Sequence, residues 1–402
     1  MGEKIALGFH TCVDYELIWD TATVEQQIIA FDIHAADLKI SPEADSERSL
    51  WISTLAHLQA GIGGEIIPDE ASVCVDFANH FDYEITMGGT ATRAAIVLDK
   101  LGYDSVLQTS CYNEHVERLL PKHVHALSGV PADQNEIYPH VIVQCAGGVR
   151  IHANDIDFVT PRENRILISR DSDSLNMPVL DEEFGKLITD SEIFLIGCFS
   201  QVLDEDIIAD RMVKTRKLLT HLPEDALVIM EDGCYVKKHF RNYVHRELAS
   251  CVDILSMNED EMQEYIGKRI NILDPEAVIA ALDEVYKGTN IPVLLVHSAA
   301  WALAYGENAG MMRQSLEGGV TMAATRFRIG DDITPALYEE TKTLAPKADS
   351  VIFCEKMKQL LGDKICIIPC KDLSHVKNPT VVGLGDSFAG GLLPGLLKEN
   401  RG

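Results

Sequence analysis

The chain reads as an α/β protein: an open, mostly parallel sheet flanked by helices, joined to a smaller β-rich lid. Three observations predict this. Short runs of Val, Ile and Leu recur at Ile5 to Phe9, His140 to Cys145, Ile193 to Phe199, Ala226 to Met230, Val252 to Leu255 and Pro292 to His297. Unbroken apolar runs of that length suit strands buried on both faces. Helical patterns fill most of the intervals, at Gly89 to Leu101, Asp204 to Leu219, Lys238 to Ser250, Glu259 to Gly267, Pro275 to Lys287, Gly319 to Arg328 and Ser387 to Lys398. Such alternation builds βαβ units. Two stretches break the pattern, Val13 to Phe81 and His140 to Ser191, where β-leaning pieces such as Val141 to Gln144 and Arg165 to Ile168 are separated by polar turns. We therefore expect residues 1–13, 82–139 and 192–402 to form a large nucleotide-binding domain, and residues 14–81 and 140–191 a discontinuous lid.

Composition narrows the partners. With 35 Lys+Arg against 62 Asp+Glu, the 402-residue chain carries a formal charge of -27, which repels nucleic-acid phosphates and anionic lipid headgroups alike. No nucleic acid and no membrane partner is expected, and an anionic substrate must be held by local cations. The ten cysteines form no CxxC pair, and only Cys366 and Cys370 lie close together. That usage fits buried, reduced thiols in a cytoplasmic protein. The N-terminal stretch is too short and too polar for a signal peptide, and no apolar run approaches a membrane span. Histidines such as His123 and His125 show no zinc-motif spacing.

In an open α/β sheet, ligands gather beyond the carboxyl ends of the strands, so candidate chemistry is sought there. Near the C-terminus stands Val382-Gly383-Leu384-Gly385-Asp386-Ser387. Glycines at 383 and 385 let backbone N–H groups converge, and a following helix adds its positive dipole end, which together suit a phosphate. Asp386 at the same place could accept a proton from an attacking hydroxyl. Read alone, the string is equally a tight turn capping a buried helix. Asn258 and Glu261, after the run Val252 to Leu255, have the spacing and chemistry of a capping box. Carboxylates at a strand's end also suit a water-clothed Mg2+.

Taken together these residues resemble the ADP-dependent glucokinase and phosphofructokinase family of the ribokinase-like superfamily. The family's PxxTVGxGDxxS pattern is similar to Pro379-Thr380-Val381-Val382-Gly383-Leu384-Gly385-Asp386-Ser387, and its DSxGMNExEL pattern to Asp253-Ile254-Leu255-Ser256-Met257-Asn258-Glu259-Asp260-Glu261-Met262. Weaker agreement continues at Gly88-Gly89-Thr90-Ala91, Pro161 to Ile166 and His297-Ser298. A literal copy of the family's HxE motif, His245-Arg246-Glu247, falls inside a helical pattern where residues two apart point to nearly opposite faces. Glu231, at the end of the run Ala226 to Met230, is the better match, with Ile229 where the family has histidine. At the acceptor end the family's NxNxD reads His10-Thr11-Cys12-Val13-Asp14, so Asp14 is kept and both asparagines are replaced.

The resemblance implies an Mg2+-dependent kinase that moves a phosphoryl group from ADP to a hydroxyl of glucose, fructose 6-phosphate or a similar sugar. It implies Asp386 as base, the backbone of Gly383 to Asp386 as anion hole and Arg165 as phosphate clamp, with Arg162 as the other assignment. Glu261, Asn258 and Glu231 would serve Mg2+. Asp14, Gly88, Gly89 and Glu65 would hold the sugar, and His297, Val382 and Leu384 the nucleotide. An ATP-dependent kinase of the same superfamily, or a non-catalytic sugar or nucleotide sensor on the same fold, fits much of this pattern too. ADP as donor follows from the resemblance, not from the residues.

Overall fold

The computed structural model describes residues 4–131, 136–197, 199–377 and 379–400. Its first strands in chain order are β1 (Ile5–Gly8), β2 (Cys12–Leu17), β3 (Glu43–Ala44), β4 (Gly64–Pro68), β5 (Tyr83–Gly88), β6 (Ser105–Thr109) and β7 (Val124–Ser128). There follow β8 (Pro139–Cys145), β9 (Arg150–Ala153), β10 (Ile156–Val159), β11 (Asn164–Ile168) and β12 (Ile193–Ile196). The last are β13 (Leu227–Glu231), β14 (Ile254–Asn258), β15 (Val293–His297), β16 (Trp301–Gly306) and β17 (Ile365–Pro369).

Nine of these form one sheet in the order β17-β16-β15-β14-β13-β12-β1-β6-β7. From β7 to β15 all neighbours run parallel, and β16 and β17 close one edge antiparallel. β1 is the turning point: the chain winds outward from it through β6 and β7 on one side and β12 to β15 on the other. That arrangement brings the ends of β13, β14 and β15 side by side, with Asn258 paired in register with His297. Both faces are covered. One core runs from Phe9, Phe194 and Phe199 to Leu255, Trp301 and Met357, and the other from Leu7 and Leu195 to Ala302, Leu316 and Phe388.

A second, six-stranded sheet has the order β3-β4-β11-β8-β2-β5 and mixes parallel and antiparallel pairs. It has its own core around Trp51, Phe77, Leu55, Val141 and Ile166, consistent with the β-leaning character of its segments. β9 and β10 form a separate hairpin.

Two of the expected boundaries shift. β5, assigned by sequence to the large unit, pairs with β2 from Cys12–Gly88 to Leu17–Tyr83 and stacks Tyr83 on Tyr15 at 4.4 Å. The segment from Met177 to Ile188, assigned to the lid, packs Phe184 against Phe194 in the large core. Local sequence favours strand or helix equally well in either unit, so only the tertiary partners decide such segments.

The C-terminal helix is also displaced from its expected start. It runs Leu384–Leu392 and continues as a short 3-10 turn, Leu393–Leu396, because Gly383 caps it in the left-handed conformation and lets the helix begin at Leu384. Among the described residues no helix is long and apolar enough to cross a membrane, and the described cysteines are free thiols, most of them buried.

Phe194, fully buried on the central strand β12, touches Phe9 and Phe184. Phe194→Ala should lower the unfolding free energy by about 3–5 kcal/mol, measured as a shifted urea midpoint at unchanged m-value.

Candidate active site at the carboxyl edge

The helix Leu384–Leu392 begins from Gly383, whose φ of 66° lies in the left-handed region that glycine tolerates. A side chain there would also collide with Arg93, whose Cδ lies 2.8 Å from the Cβ position. The N–H groups of Leu384, Gly385 and Asp386 lie in the first helical turn, where no upstream carbonyl is available to them. Asp386 is the third helical residue, and its Oδ1 accepts a 2.8 Å hydrogen bond from Thr90 Oγ1.

The helix is held by unusually close packing. Gly391 lies against Gly318 of the helix Arg313–Ile329, and Gly390 lies against Ala94 and Val97 of the helix Thr90–Lys100. A methyl group on either glycine would push the helices apart.

A cavity of about 660 Å³ opens beside this turn. Gly383, Leu384, Gly385, Asp386, Asn258, His297 and Arg165 line it, together with apolar Ala302, Val320, Ala324, Phe327 and Leu373. The combination suits a ligand with a flat apolar part and an anionic part. Lys347 and Lys371 also border it, although Lys371 Nζ is engaged with the carbonyls of Lys342 and Leu344. Another cavity of about 630 Å³, around Tyr103, Arg313 and Tyr338, contains none of the expected site residues.

Arg165 reaches the cavity from β11 of the six-stranded sheet. Arg162 donates from Nε to Gly61 O at 2.6 Å and is not among the residues lining this cavity. Val382 departs from expectation. Its side chain is buried, its carbonyl accepts from Arg326 Nε at 2.6 Å, and Val381 lines the cavity in its place.

Asn258 and Glu261 do form the capping box. Asn258 Oδ1 accepts from the N–H of Asp260 and of Glu261, and Asn258 N donates to Glu261 Oε2 at 2.8 Å. Capping and site placement coexist, because Asn258 also faces the cavity. Glu231 and Glu261 are buried and are not among its lining residues. Glu231 Oε1 meets His297 Nε2 at 3.2 Å, and His297 stacks on Phe388 with ring centroids 4.5 Å apart. A histidine from β15 thus faces the carboxylate whose own strand carries Ile229.

Among the described residues, Glu231 Oε2 is buried without a hydrogen-bond partner. Burial, and then the charges of Asp232 and Glu231, push the Glu261 carboxyl well above its usual range. Buried carboxylates with an unsatisfied oxygen fit a hydrated divalent cation. His245 and Glu247 diverge as the helical spacing requires: His245 Nε2 turns inward to Asp232 Oδ1 at 3.3 Å, while Glu247 meets Arg216 on the outside.

Asp14 is buried in β2, and Gly88 lies so close that any side chain there would strike Asp14 and Cys12. Gly89 caps the helix Thr90–Lys100 with φ of 87°, against the backbone of His10. Glu65 on β4 accepts at 3.3 Å from Gln201 Nε2, in the segment between β12 and the helix Glu205–Leu219, and burial raises its carboxyl.

Sequence reasoning missed Arg93. Its Nη2 donates to Asp14 Oδ2 at 3.1 Å and lies 3.6 Å from Glu16, while Nη1 is 3.8 Å from Asp331 and Nε 3.9 Å from Asp386. Burial alone would favour losing its proton, yet these carboxylates, Asp14 foremost, raise its pKa overall. The available signal was the i, i+3 spacing from Thr90, which puts both on one helix face.

A model of the conserved region of ADP-specific phosphofructokinase/glucokinase matches residues 3–393. Among solved structures, a phosphofructokinase from Pyrococcus horikoshii OT3 with AMP is similar at TM-score 0.77 and 18% identity, over 100% of this chain and 99% of that one. An ADP-dependent kinase in complex with fructose 6-phosphate and ADPβS is similar at TM-score 0.74 and 14% identity, over 98% of this chain and 94% of that one. No curated protein sequence matches the chain.

The raised Glu261 carboxyl gives a stability test. A carboxyl whose folded pKa exceeds its unfolded one stabilises fully below the unfolded value, near 4.3, and that contribution is lost as pH rises through the folded value. Glu261→Gln keeps an oxygen for Asn258 N and removes the charge. The metal-free variant should be more stable than the parent by on the order of 1 kcal/mol at pH 7–8, with the gap closing towards pH 4. Urea titrations across that range check it, and equal stability at pH 7–8 would count against net repulsion on Glu261 from Asp232 and Glu231, which Arg241 only partly offsets.

Proposed function

Because the chain belongs to the ADP-specific phosphofructokinase/glucokinase family, whose members are ADP-dependent sugar kinases, we propose that it transfers a phosphoryl group from ADP to a sugar hydroxyl with Asp386 as base. The single observation that carries this reading is the common cavity. Asp386, the first-turn backbone of Leu384–Leu392, Arg165, Asn258 and His297 all line it. Phosphoryl transfer requires positioning and charge stabilisation more than covalent chemistry from the protein, and these residues offer both.

In this reading the apolar lining that includes Ala302, Phe327 and Leu384 takes the nucleotide base. The N–H groups of the helix N-terminus hold the transferring phosphoryl group, and Arg165 meets the phosphates from the opposite side. Asp386 then stands where it can take the acceptor's proton, oriented by Thr90. Asn258, Glu261 and Glu231 would hold Mg2+ through water; bound there, the ion would neutralise phosphate charge as it shifts between donor and acceptor. His297 fixes Glu231 for that task.

Asp14, Gly88, Gly89 and Glu65 surround the acceptor. Asp14 must share its carboxylate with Arg93, so it holds a hydroxyl in an already ordered geometry. Carboxylates at 14 and 65 favour a neutral sugar over a sugar phosphate, since a second phosphate would face like charges. The six-stranded sheet, which carries Arg165 and Glu65, serves as the lid, and closing it would exclude water as a competing acceptor.

The test is a phosphorylation screen of common sugars and sugar phosphates with ADP and ATP as donors. Transfer from ADP to a neutral sugar is the expected result, and Asp386→Asn should lower kcat by about 10²- to 10⁴-fold with the ADP dissociation constant changed only slightly. Near-normal turnover in that variant would remove Asp386 as base. Preference for ATP would change the donor, and tight binding without turnover over the whole panel would favour a sensor.

A further inference from the structure

The two positions at which the acceptor segment departs most in chemistry, His10 and Cys12, meet a third residue from another strand. One ring nitrogen each of His10 and His140, together with Cys12 Sγ, lie within 4.8 Å of one another. His10 sits in the connection from β1 to β2, Cys12 opens β2, and His140 lies on β8, whose backbone pairs with β2 at Asp14. The cluster therefore lies where the chain passes from the large sheet into the lid sheet.

The imidazoles are oriented from behind. His140 Nε2 is 3.0 Å from Asp171 Oδ2, and His10 Nε2 is 3.1 Å from Ser174 Oγ, which itself donates to Asp171 Oδ2 at 2.6 Å. Asp171 is anchored as the cap of the helix Ser172–Asn176. Outer partners of this kind fix the ring orientation of metal-bound histidines. A carboxylate oxygen of Asp14 lies 3.3 Å from Cys12 Sγ and supplies a neighbouring hard donor. Cys12 and His140 are buried and His10 half-buried, so the group is shielded from competing water.

We propose that His10, Cys12 and His140 form a binding site for a thiophilic divalent cation of the zinc class, and that its occupancy opposes acceptor binding. Nitrogen and sulfur donors in a three-ligand set with an open fourth position select such a cation over Mg2+ or Ca2+. Tetrahedral coordination needs ligand separations of roughly 3.5 Å, which side-chain rotation within the cluster supplies. Coordination breaks the Cys12 S–H bond, and the proton leaves to solvent as the thiolate binds. The fourth position faces Asp14, so a bound cation draws on the carboxylate proposed to hold the acceptor. That second clause rests on the kinase reading; the site itself does not.

The experiment uses the full chain without substrates, titrated with Zn2+ by calorimetry and with Co2+ by absorption. One cation per chain should bind, and cobalt should give the intense near-ultraviolet band of a thiolate-to-metal transfer. Cys12→Ser should abolish that band and weaken Zn2+ binding at least tenfold, whereas Cys74→Ser, at a buried thiol in the lid core, should leave both unchanged. Circular dichroism checks that the variants fold. If Cys12→Ser does not, His10→Gln is expected to weaken zinc binding at least tenfold while the band persists at raised cobalt concentration. Absence of stoichiometric binding, a band that survives Cys12→Ser, or its loss in Cys74→Ser overturns the site. In kinase assays, stoichiometric Zn2+ should raise the acceptor KM of the parent protein and not of Cys12→Ser; an unchanged KM with the cobalt band present overturns the competition. A chain that gives the cobalt band yet turns over no donor–acceptor pair would overturn the kinase reading alone, so the two can fail separately.

Discussion

The site is organised around one buried cation, the guanidinium of Arg93. It is almost wholly withdrawn from solvent, and a charge so placed is tolerable only when it is paired. The partners come from three separate parts of the chain: Asp14 and Glu16 on β2, Asp331 after the helix Arg313–Ile329, and Asp386 in the C-terminal motif. None of them is near another in sequence except the first two. Removing the cation would leave Asp14 buried beside Cys12 with no other ion pair among the described residues, a larger penalty than the loss of one hydrogen bond. Arg93 thus ties β2 to the helix Leu384–Leu392, which carries the proposed base.

The glycines make that lock possible. Gly383 sits directly on the Arg93 side chain, Gly88 on Asp14, and Gly390 and Gly391 on the two flanking helices. Each close approach trades side-chain packing for position, and the shared result is a helix N-terminus delivered to the carboxyl edge of the sheet. Parallel winding does the rest, since β14 and β15 end in register with Asn258 and His297 at the cavity, and β13 brings Glu231 within reach of His297 behind it. Position along the edge is set by topology, while orientation is set by local bonds such as the Asn258 capping box and the His297–Glu231 pair.

Much of this was legible in the chain before folding. Strand ends such as Asn258 and His297 follow from apolar runs that stop at polar residues, and the GxGD string declares a turn through its glycines. Helical spacing alone sent His245 and Glu247 to opposite sides. What was not legible depends on partners distant in sequence. β5 has the same local character whichever sheet it joins, and its pairing with β2 is decided in space. Val382 looks as available as Leu384 until Arg326, 56 residues away, takes its carbonyl. The pairing of His297 with Glu231 spans 66 residues and has no local signature, and Arg93 reads as an ordinary helix residue until four carboxylates are found around it.

The acidity of the chain sharpens the role of the few cations at the site. A protein with a formal charge of -27 opposes the approach of a nucleotide at long range, but salt screens that field beyond about 8–10 Å. Inside the cavity the balance is local. Backbone N–H groups at the helix start carry positive character without adding a charge that must be desolvated, and Arg165 arrives on a separate sheet. Arg93, by contrast, is fully occupied by carboxylates and has little charge left to offer a phosphate. The protein therefore separates two uses of arginine: Arg93 neutralises the buried acids around it, and Arg165 stands at the cavity wall, where the proposed function has it meet the nucleotide.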